Sequence, residues 1–189
     1  MIDIVTYEGS WAPLPSKLEL ILNRQSGAEP DVEESVREIL SDVRERGDAA
    51  LVECTSRFDG VSLSATGLRV PEKMLADARK AMDGSLVSAL ESAADNIRRF
   101  HLRQRRESQY VEDGDGVVLG KRVIPLRRVG ICVPGRQAPL ISSLLMAAVP
   151  AQVAGVDELC VVTPPQFDGL PHPDLLGTAN LLGIDELYT

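Results

Sequence analysis

Residues 129–165 read VGICVPGRQAPLISSLLMAAVPAQVAGVDELCVVTPP, and their order sets the class of the fold. Val129 to Val133 is a short apolar run closed by Pro134 and Gly135, the composition of a buried strand. Leu140 to Val153 is uncharged and too long for a strand, which makes it a buried helix. Leu159 to Thr163 is a second apolar strand that opens onto Pro164 and Pro165. Asp174 to Leu182 reads as another helix, and Glu186 to Tyr188 begins a third strand. Strand, helix, strand, helix, strand is the signature of parallel crossover units. The expected fold is therefore α/β, with an incomplete Rossmann-like parallel βαβ unit over residues 126–189.

Upstream the pattern is helical. Residues 1–30 form an arm broken by Pro13, Pro15, Gly27 and Pro30, with a short helix at Ser16 to Arg24. A helix is expected from Asp31, which can cap it with Glu34 three positions on, and Val32, Val36, Ile39, Leu40 and Val43 recur at helical spacing up to the stop at Gly47. Asp48 then caps a helix carrying Leu51, Val52, Thr55 and Phe58 on one face. Asp59-Gly60 turns the chain toward a strand at Leu68 to Val70. Helices follow over 72–82 and from 84 to about 107, the second marked by Leu86, Leu90, Ala93, Ile97 and Phe100. Asp113-Gly114-Asp115-Gly116 joins two short apolar runs as a β-hairpin. Residues 31–125 are thus a helical and mixed region of a first α/β domain, ahead of the nucleotide-type unit.

Composition narrows the function classes. With 189 residues, 44% hydrophobic and 25% charged, the chain suits one ordinary domain or two small ones, able to bury roughly 70% of its unfolded surface. A net charge of −8 argues against gripping phosphate backbones, whose affinity comes from concentrated positive charge. Arg98, Arg99, Arg103, Arg105 and Arg106 make a local basic cluster, read as the solvated face of a helix, and no nucleic-acid partner is expected. Three cysteines at wide spacing without a Cys-x-x-Cys pair suggest reduced thiols in a cytoplasmic setting. The uncharged run from Gln137 to Val156 has the length of a membrane span, but Pro139, Pro150 and several polar residues interrupt it, so no membrane partner is expected.

In an open parallel sheet, ligands sit at the carboxyl ends of the strands. The loop from Pro134 to Pro139 occupies that place. It lacks Gly-x-Gly-x-x-Gly, so by its residues alone it is either a dinucleotide site or a structural βα turn. The two histidines, His101 and His172, show no metal spacing with the cysteines or with each other, and no metal ligand is assigned. Cys132 reads as a small buried hydrophobe. Ser142-Ser143 has no nucleophile elbow around it, and no catalytic residue is assigned.

Residues 119–165 as a block resemble the nucleotide-domain opening of histidinol dehydrogenases. Arg46-Gly47-Asp48-Ala49-Ala50-Leu51, Thr55, Phe58-Asp59, Asn96-Ile97, Phe100-His101 and Gln104 look like the earlier helices of that family. The resemblance implies NAD-dependent oxidation of L-histidinol to L-histidine in histidine biosynthesis, two incomplete Rossmann-like domains and an intertwined homodimer. It also implies zinc held by Gln, His, Asp and His, with a Glu-His pair moving protons, all of which lie downstream of the point where this chain stops. On that basis the chain is expected to be a truncated form, inactive alone. The resemblance places cofactor contacts at Cys132, Pro134, Gly135 and Arg136. Where the family usually has a tyrosine this chain has Cys132, and where it has a second glycine this chain has Arg136. The alternative is a non-catalytic binding or regulatory module associating with itself or with a full-length relative. In either case the last strand, Glu186 to Tyr188, is expected to form an open edge with an uncovered apolar face, and the chain to self-associate as a dimer or higher species.

Overall fold

The computed structural model of the chain describes residues 30–135, 138–166 and 168–189. The rest of the expected arm, with its helix at Ser16 to Arg24, lies outside those residues, as does Arg136. The chain divides into two compact units, residues 1–47 and 48–189. In the first, helix α1 spans Pro30–Arg46. It starts one residue before the expected cap, so Asp31 falls in its first turn; the fixed φ of proline suits the first helical position, where no N–H is needed. Gly47 ends α1 at φ 59°, its N–H donating to Val43 O at 2.9 Å, a left-handed conformation that glycine adopts without steric penalty.

The second unit opens with α2 (Asp48–Asp59), a 3₁₀ turn (Ala65–Gly67), α3 (Glu72–Ala81) and α4 (Gly84–Leu102). Asp48 is the first helical residue of α2, one position inside the expected cap. Helix α4 is shorter than its arginine-rich continuation suggests: Arg103 N–H bonds Phe100 O at 3.2 Å and Gln104 N–H bonds His101 O at 2.9 Å, a tightened last turn that closes the helix. The hairpin follows as β1 (Gln109–Asp113) and β2 (Val117–Lys121), antiparallel, with Gly116 at φ 78° in the turn. Then come β3 (Arg128–Cys132), α5 (Ile141–Ala154), β4 (Glu158–Val162), α6 (Pro173–Leu181) and β5 (Glu186–Tyr188), within one or two residues of the boundaries expected from the apolar pattern.

Strands β3, β4 and β5 are parallel and stand in chain order. Because the order never reverses and parallel crossovers are right-handed, α5 and α6 must cover the same face of the sheet. On that face Ile131, Val161 and Leu187 form one row of register partners. They share a core with Leu144, Leu145 and Val149 of α5, Leu175 and Ala179 of α6, Leu75 of α3, and Leu90 and Ala94 of α4. The opposite face carries Arg128, Gly130 and Cys132 on β3, Glu158, Cys160 and Val162 on β4, and Glu186 and Tyr188 on β5, all exposed or half-buried. Cys132 is therefore not the buried hydrophobe expected of it; strand alternation puts it with Arg128 on the side away from the helices, and its thiol is exposed.

The edge of β5 also departs from expectation. Residues 68–70 are not a full strand but a single antiparallel bridge of Arg69 to Tyr188. Val70 N–H donates to Leu187 O at 2.9 Å and Thr189 N–H to Leu68 O at 2.8 Å. These bonds close the edge that was expected to stand open, and Leu187 is 0% exposed, so its apolar face is covered too. Among the described residues the free edge of this sheet is that of β3. Within the uncharged run, Ile141–Ala154 is α5, buried through Leu144, Leu145, Ala148 and Val149, with Pro150 inside it. No helix among the described residues is long and apolar enough to cross a membrane.

Candidate functional site

The carboxyl ends of the three strands gather at one end of the sheet. The ladder runs past the strands themselves: Val133 N–H donates to Val162 O at 2.8 Å, and Thr163 N–H to Tyr188 O at 3.1 Å. Val133, Thr163 and Thr189 are thereby held at the rim. Beside the ends of β4 and β5 lies a crevice of about 670 Å³, lined by Leu51, Thr55 and Asp59 of α2, by Leu68 and Arg69, by Val162 to Pro165, and by Tyr188 and Thr189. It has the location at which open α/β sheets take ligands.

Thr163 is the unusual residue on this wall. It is buried, and its hydroxyl has no hydrogen-bond partner among the described residues; the Thr189 hydroxyl is likewise buried and unpaired among them. A threonine hydroxyl in a turn normally bonds a backbone N–H one or two residues on, but Pro164 and Pro165 follow Thr163 and have none to give. Buried polar groups are otherwise paired, and an unpaired one calls for a reason.

The expected site residues lie next to this crevice instead of lining it. Cys132 ends β3 on the outer face, and Pro134 is exposed. Gly135 is buried, and a Cβ added there would come within 2.8 Å of Thr163 Oγ1. Residue 135 can thus sit against the end of β4 only because it has no side chain. Arg136 lies outside the described residues. Beyond the loop, α5 begins with no side-chain cap; Leu140 O accepts from Ser143 and Leu144 at 3.0 and 3.4 Å, which leaves the first N–H groups of the helix for an anion.

At the other end of the outer face, Arg128 bridges two strands, bonding Glu158 at 2.9 Å and Glu186 at 2.6 Å, while Tyr188 OH donates to Glu186 at 2.7 Å. The Arg128 guanidinium, and next the Tyr188 hydroxyl, hold the Glu186 carboxyl below the ordinary carboxylate range. The same bond to Glu186 raises the Tyr188 phenol. A carboxyl depressed in the folded state contributes stability above its unfolded pKa and loses it as pH falls through the folded value. Glu186→Gln should therefore lower stability at neutral pH and flatten the acid limb of the stability profile, as urea midpoints measured from pH 7 down to about pH 3 would read directly.

Zinc finds no ligand set here: among the described residues no three His, Cys, Asp or Glu side chains converge.

Comparison with known proteins shows the family to which this fold belongs. The histidinol dehydrogenase family model matches residues 22–189. The histidinol dehydrogenase of Symbiobacterium thermophilum is 43% identical over 178 residues, 94% of this chain and 40% of that protein. That of Syntrophotalea carbinolica is 44% identical over 192 aligned positions, covering 100% of this chain and 43% of the relative. The crystal structure of histidinol dehydrogenase from Elizabethkingia anophelis superposes with a TM-score of 0.80 at 33% identity, covering 94% of this chain and 40% of that one. The chain spans about two fifths of the length of these relatives. The crossover unit, the Pro-Gly loop after β3 and the Thr-Pro-Pro end of β4 all fall inside the matched region, and the chain belongs to the histidinol dehydrogenase family.

Proposed function

We propose that this chain is the cofactor-side part of a histidinol dehydrogenase, laying out the carboxyl-end surface on which NAD rests while the proton-transfer and metal-holding groups come from elsewhere. The observation that carries this reading is the buried, unpaired Thr163 hydroxyl at the end of β4, beside a crevice at the strand ends. It supplies an acceptor and donor with no partner among the described residues, and Gly135 lies directly against it. In this reading Pro134 and Gly135 bring backbone toward the dinucleotide, the uncapped start of α5 faces its phosphates, and Arg136 adds charge. Cys132 offers less stacking surface than an aromatic residue there. NAD, when bound, accepts the hydride; the residues of this chain bind and orient it. The zinc that the family implies would be held by groups other than those described here.

The purified 189-residue chain is expected to produce no NADH from L-histidinol, with or without added zinc, while isothermal titration shows weak saturable NAD binding. Thr163→Val keeps the shape of the side chain and removes the hydroxyl, so it should weaken that binding several-fold without lowering the unfolding midpoint, since the lost group has no bond to give up in the free chain. Turnover by the chain alone would refute the division of labour. Unchanged NAD affinity in Thr163→Val would refute the role of the hydroxyl.

A further inference from the structure

Where α4 ends, the chain gathers positive charge that the protein does not neutralise. Elsewhere basic side chains lie against carboxylates: Lys73 meets Asp77 at 2.6 Å, Arg98 meets Asp95 at 2.7 Å, and Arg128 joins Glu158 and Glu186. Arg103, Arg105, Arg106, Lys121 and Arg122 are exposed and have no hydrogen bond or ion pair among the described residues. Only the first part of the arginine cluster lies on the helix face expected of it, because α4 closes at Leu102 and Arg105 and Arg106 stand past it, on the segment leading into β1. The hairpin brings the rest. Gln109 is the register partner of Lys121, and beside that pair Ser108 Oγ accepts from Val123 N–H at 2.9 Å and donates to Val123 O at 3.3 Å. The open end of the hairpin is clasped in this way. Next to the clasp lies a concavity of about 380 Å³, lined by Arg105, Arg106, Glu107, Gln109 and Lys121.

Arg105, Arg106 and Lys121 outweigh Glu107, so this wall is positive in a chain whose net charge is −8. Guanidinium forks match phosphate oxygens in pairs, and an ammonium adds a point charge beside them. The negative end of the α4 dipole does not oppose an anion here. It fades within the last turn, where the Phe100 and His101 carbonyls already accept from Arg103 and Gln104. The volume falls within the range of small-molecule sites. A nucleic-acid strand would want ring faces for its bases, but the ring the hairpin carries, Tyr110, is turned against Gly120, where a Cβ would collide with it. We propose that this cradle binds a compact anion carrying several phosphoryl groups, with Arg105, Arg106 and Lys121 holding its oxygens. Bound there, the anion ties the segment after α4 to β2 and stiffens a hairpin whose strand residues are all exposed and which is marginal by itself. The cradle shares no lining residue with the strand-end crevice and is independent of the redox reading.

The probe is inorganic tripolyphosphate, titrated by calorimetry into the 189-residue chain, with circular dichroism confirming that each variant is folded. Saturable one-to-one binding is expected, several-fold weaker at about 200 mM salt than at about 50 mM. Arg105→Ala and Lys121→Ala should each weaken it about fivefold or more. Arg105→Lys should recover only part of that loss, because an ammonium keeps the charge without the fork. Arg44→Ala removes an exposed arginine of α1 that likewise has no partner among the described residues, and should change nothing. Amide exchange across Gln109–Asp113 should slow when tripolyphosphate is bound. Binding that survives both cradle substitutions is held elsewhere and overturns the proposal. Equal affinity for tripolyphosphate and sulfate also overturns it, since that is the behaviour of loose counter-ions. A single-stranded oligonucleotide that binds more tightly than tripolyphosphate, and is released by the same substitutions, overturns it in favour of a nucleic-acid surface.

Discussion

Leu187→Ala should remove about 3–4 kcal/mol of folding free energy, within the range of buried leucine truncations. Leu187 is 0% exposed and stands at the middle of β5, in register with Val161, which in turn pairs with Ile131. Its side chain is the end of the apolar row on which α5 and α6 rest, and its carbonyl accepts the Val70 N–H that closes the sheet edge. Truncation opens a cavity between the sheet and the helix layer where neither can collapse freely. For a domain whose whole stability is of order 5–15 kcal/mol, such a loss is a large share. The control is Val162→Ala on β4. Val162 is 44% exposed on the opposite face, and its truncation should change stability by less than about 0.5 kcal/mol. Urea unfolding of the two variants measures the asymmetry of the sheet, and equal losses would mean that both faces are packed.

That asymmetry is what the sequence could not state. The apolar runs at 129–133 and 159–163 mark strands and place them within one or two residues, because length and composition suffice for that. They do not say which alternate residues face the helices. An all-apolar run reads as buried on both sides, which puts Cys132 in the core; only the side on which the crossovers fall decides otherwise, and that follows from strand order, a three-dimensional fact. The closed edge of β5 was illegible for a similar reason. Its partner, Arg69, lies more than a hundred residues earlier; the short apolar run at Leu68 to Val70 suggests a strand but carries no sign of what it pairs with.

The candidate site was legible in part. The rule that ligands meet strand ends located the loop after β3, and the resemblance named Cys132, Pro134, Gly135 and Arg136 on it. The crevice beside it, built from Leu51 and Thr55 of α2 and from residues after β4 and β5, comes from tertiary approach and has no local signature. One signal was available all the same: a threonine followed by two prolines, at the end of a strand, is a hydroxyl without a local N–H donor. The same kind of reading would have found the Asp83 cap of α4, whose carboxylate accepts from Ser85 N–H at 2.8 Å and Leu86 N–H at 3.3 Å, since Asp-Gly-Ser ahead of an apolar helix is a start signal.

Gly177→Val should destabilise the second unit by about 3 kcal/mol, the upper end for overpacking, through the contact between α3 and α6. Gly177 is buried in α6. A Cβ at this position would overlap Met82 Sδ, lie 2.9 Å from Met82 Cγ and come within 3.3 Å of the Ala78 carbonyl carbon. The first two atoms belong to a flexible side chain that can swing aside, but the third is backbone of α3 and moves only with its helix. Alanine and valine therefore separate the two obstacles. Gly177→Ala gains up to about 1 kcal/mol of helix propensity and needs mainly that Met82 yield, so its net loss should be near 1 kcal/mol and should shrink in a Met82→Ala background, where the displaced thioether is gone. Valine adds two methyl groups that must point either at Ala78 or along the crowded groove, so Met82→Ala should recover only a minor part of its loss. A double-mutant cycle by urea unfolding decides the matter: equal recovery for alanine and valine would mean that Met82 is the whole obstacle and that α3 does not press on α6 through its backbone.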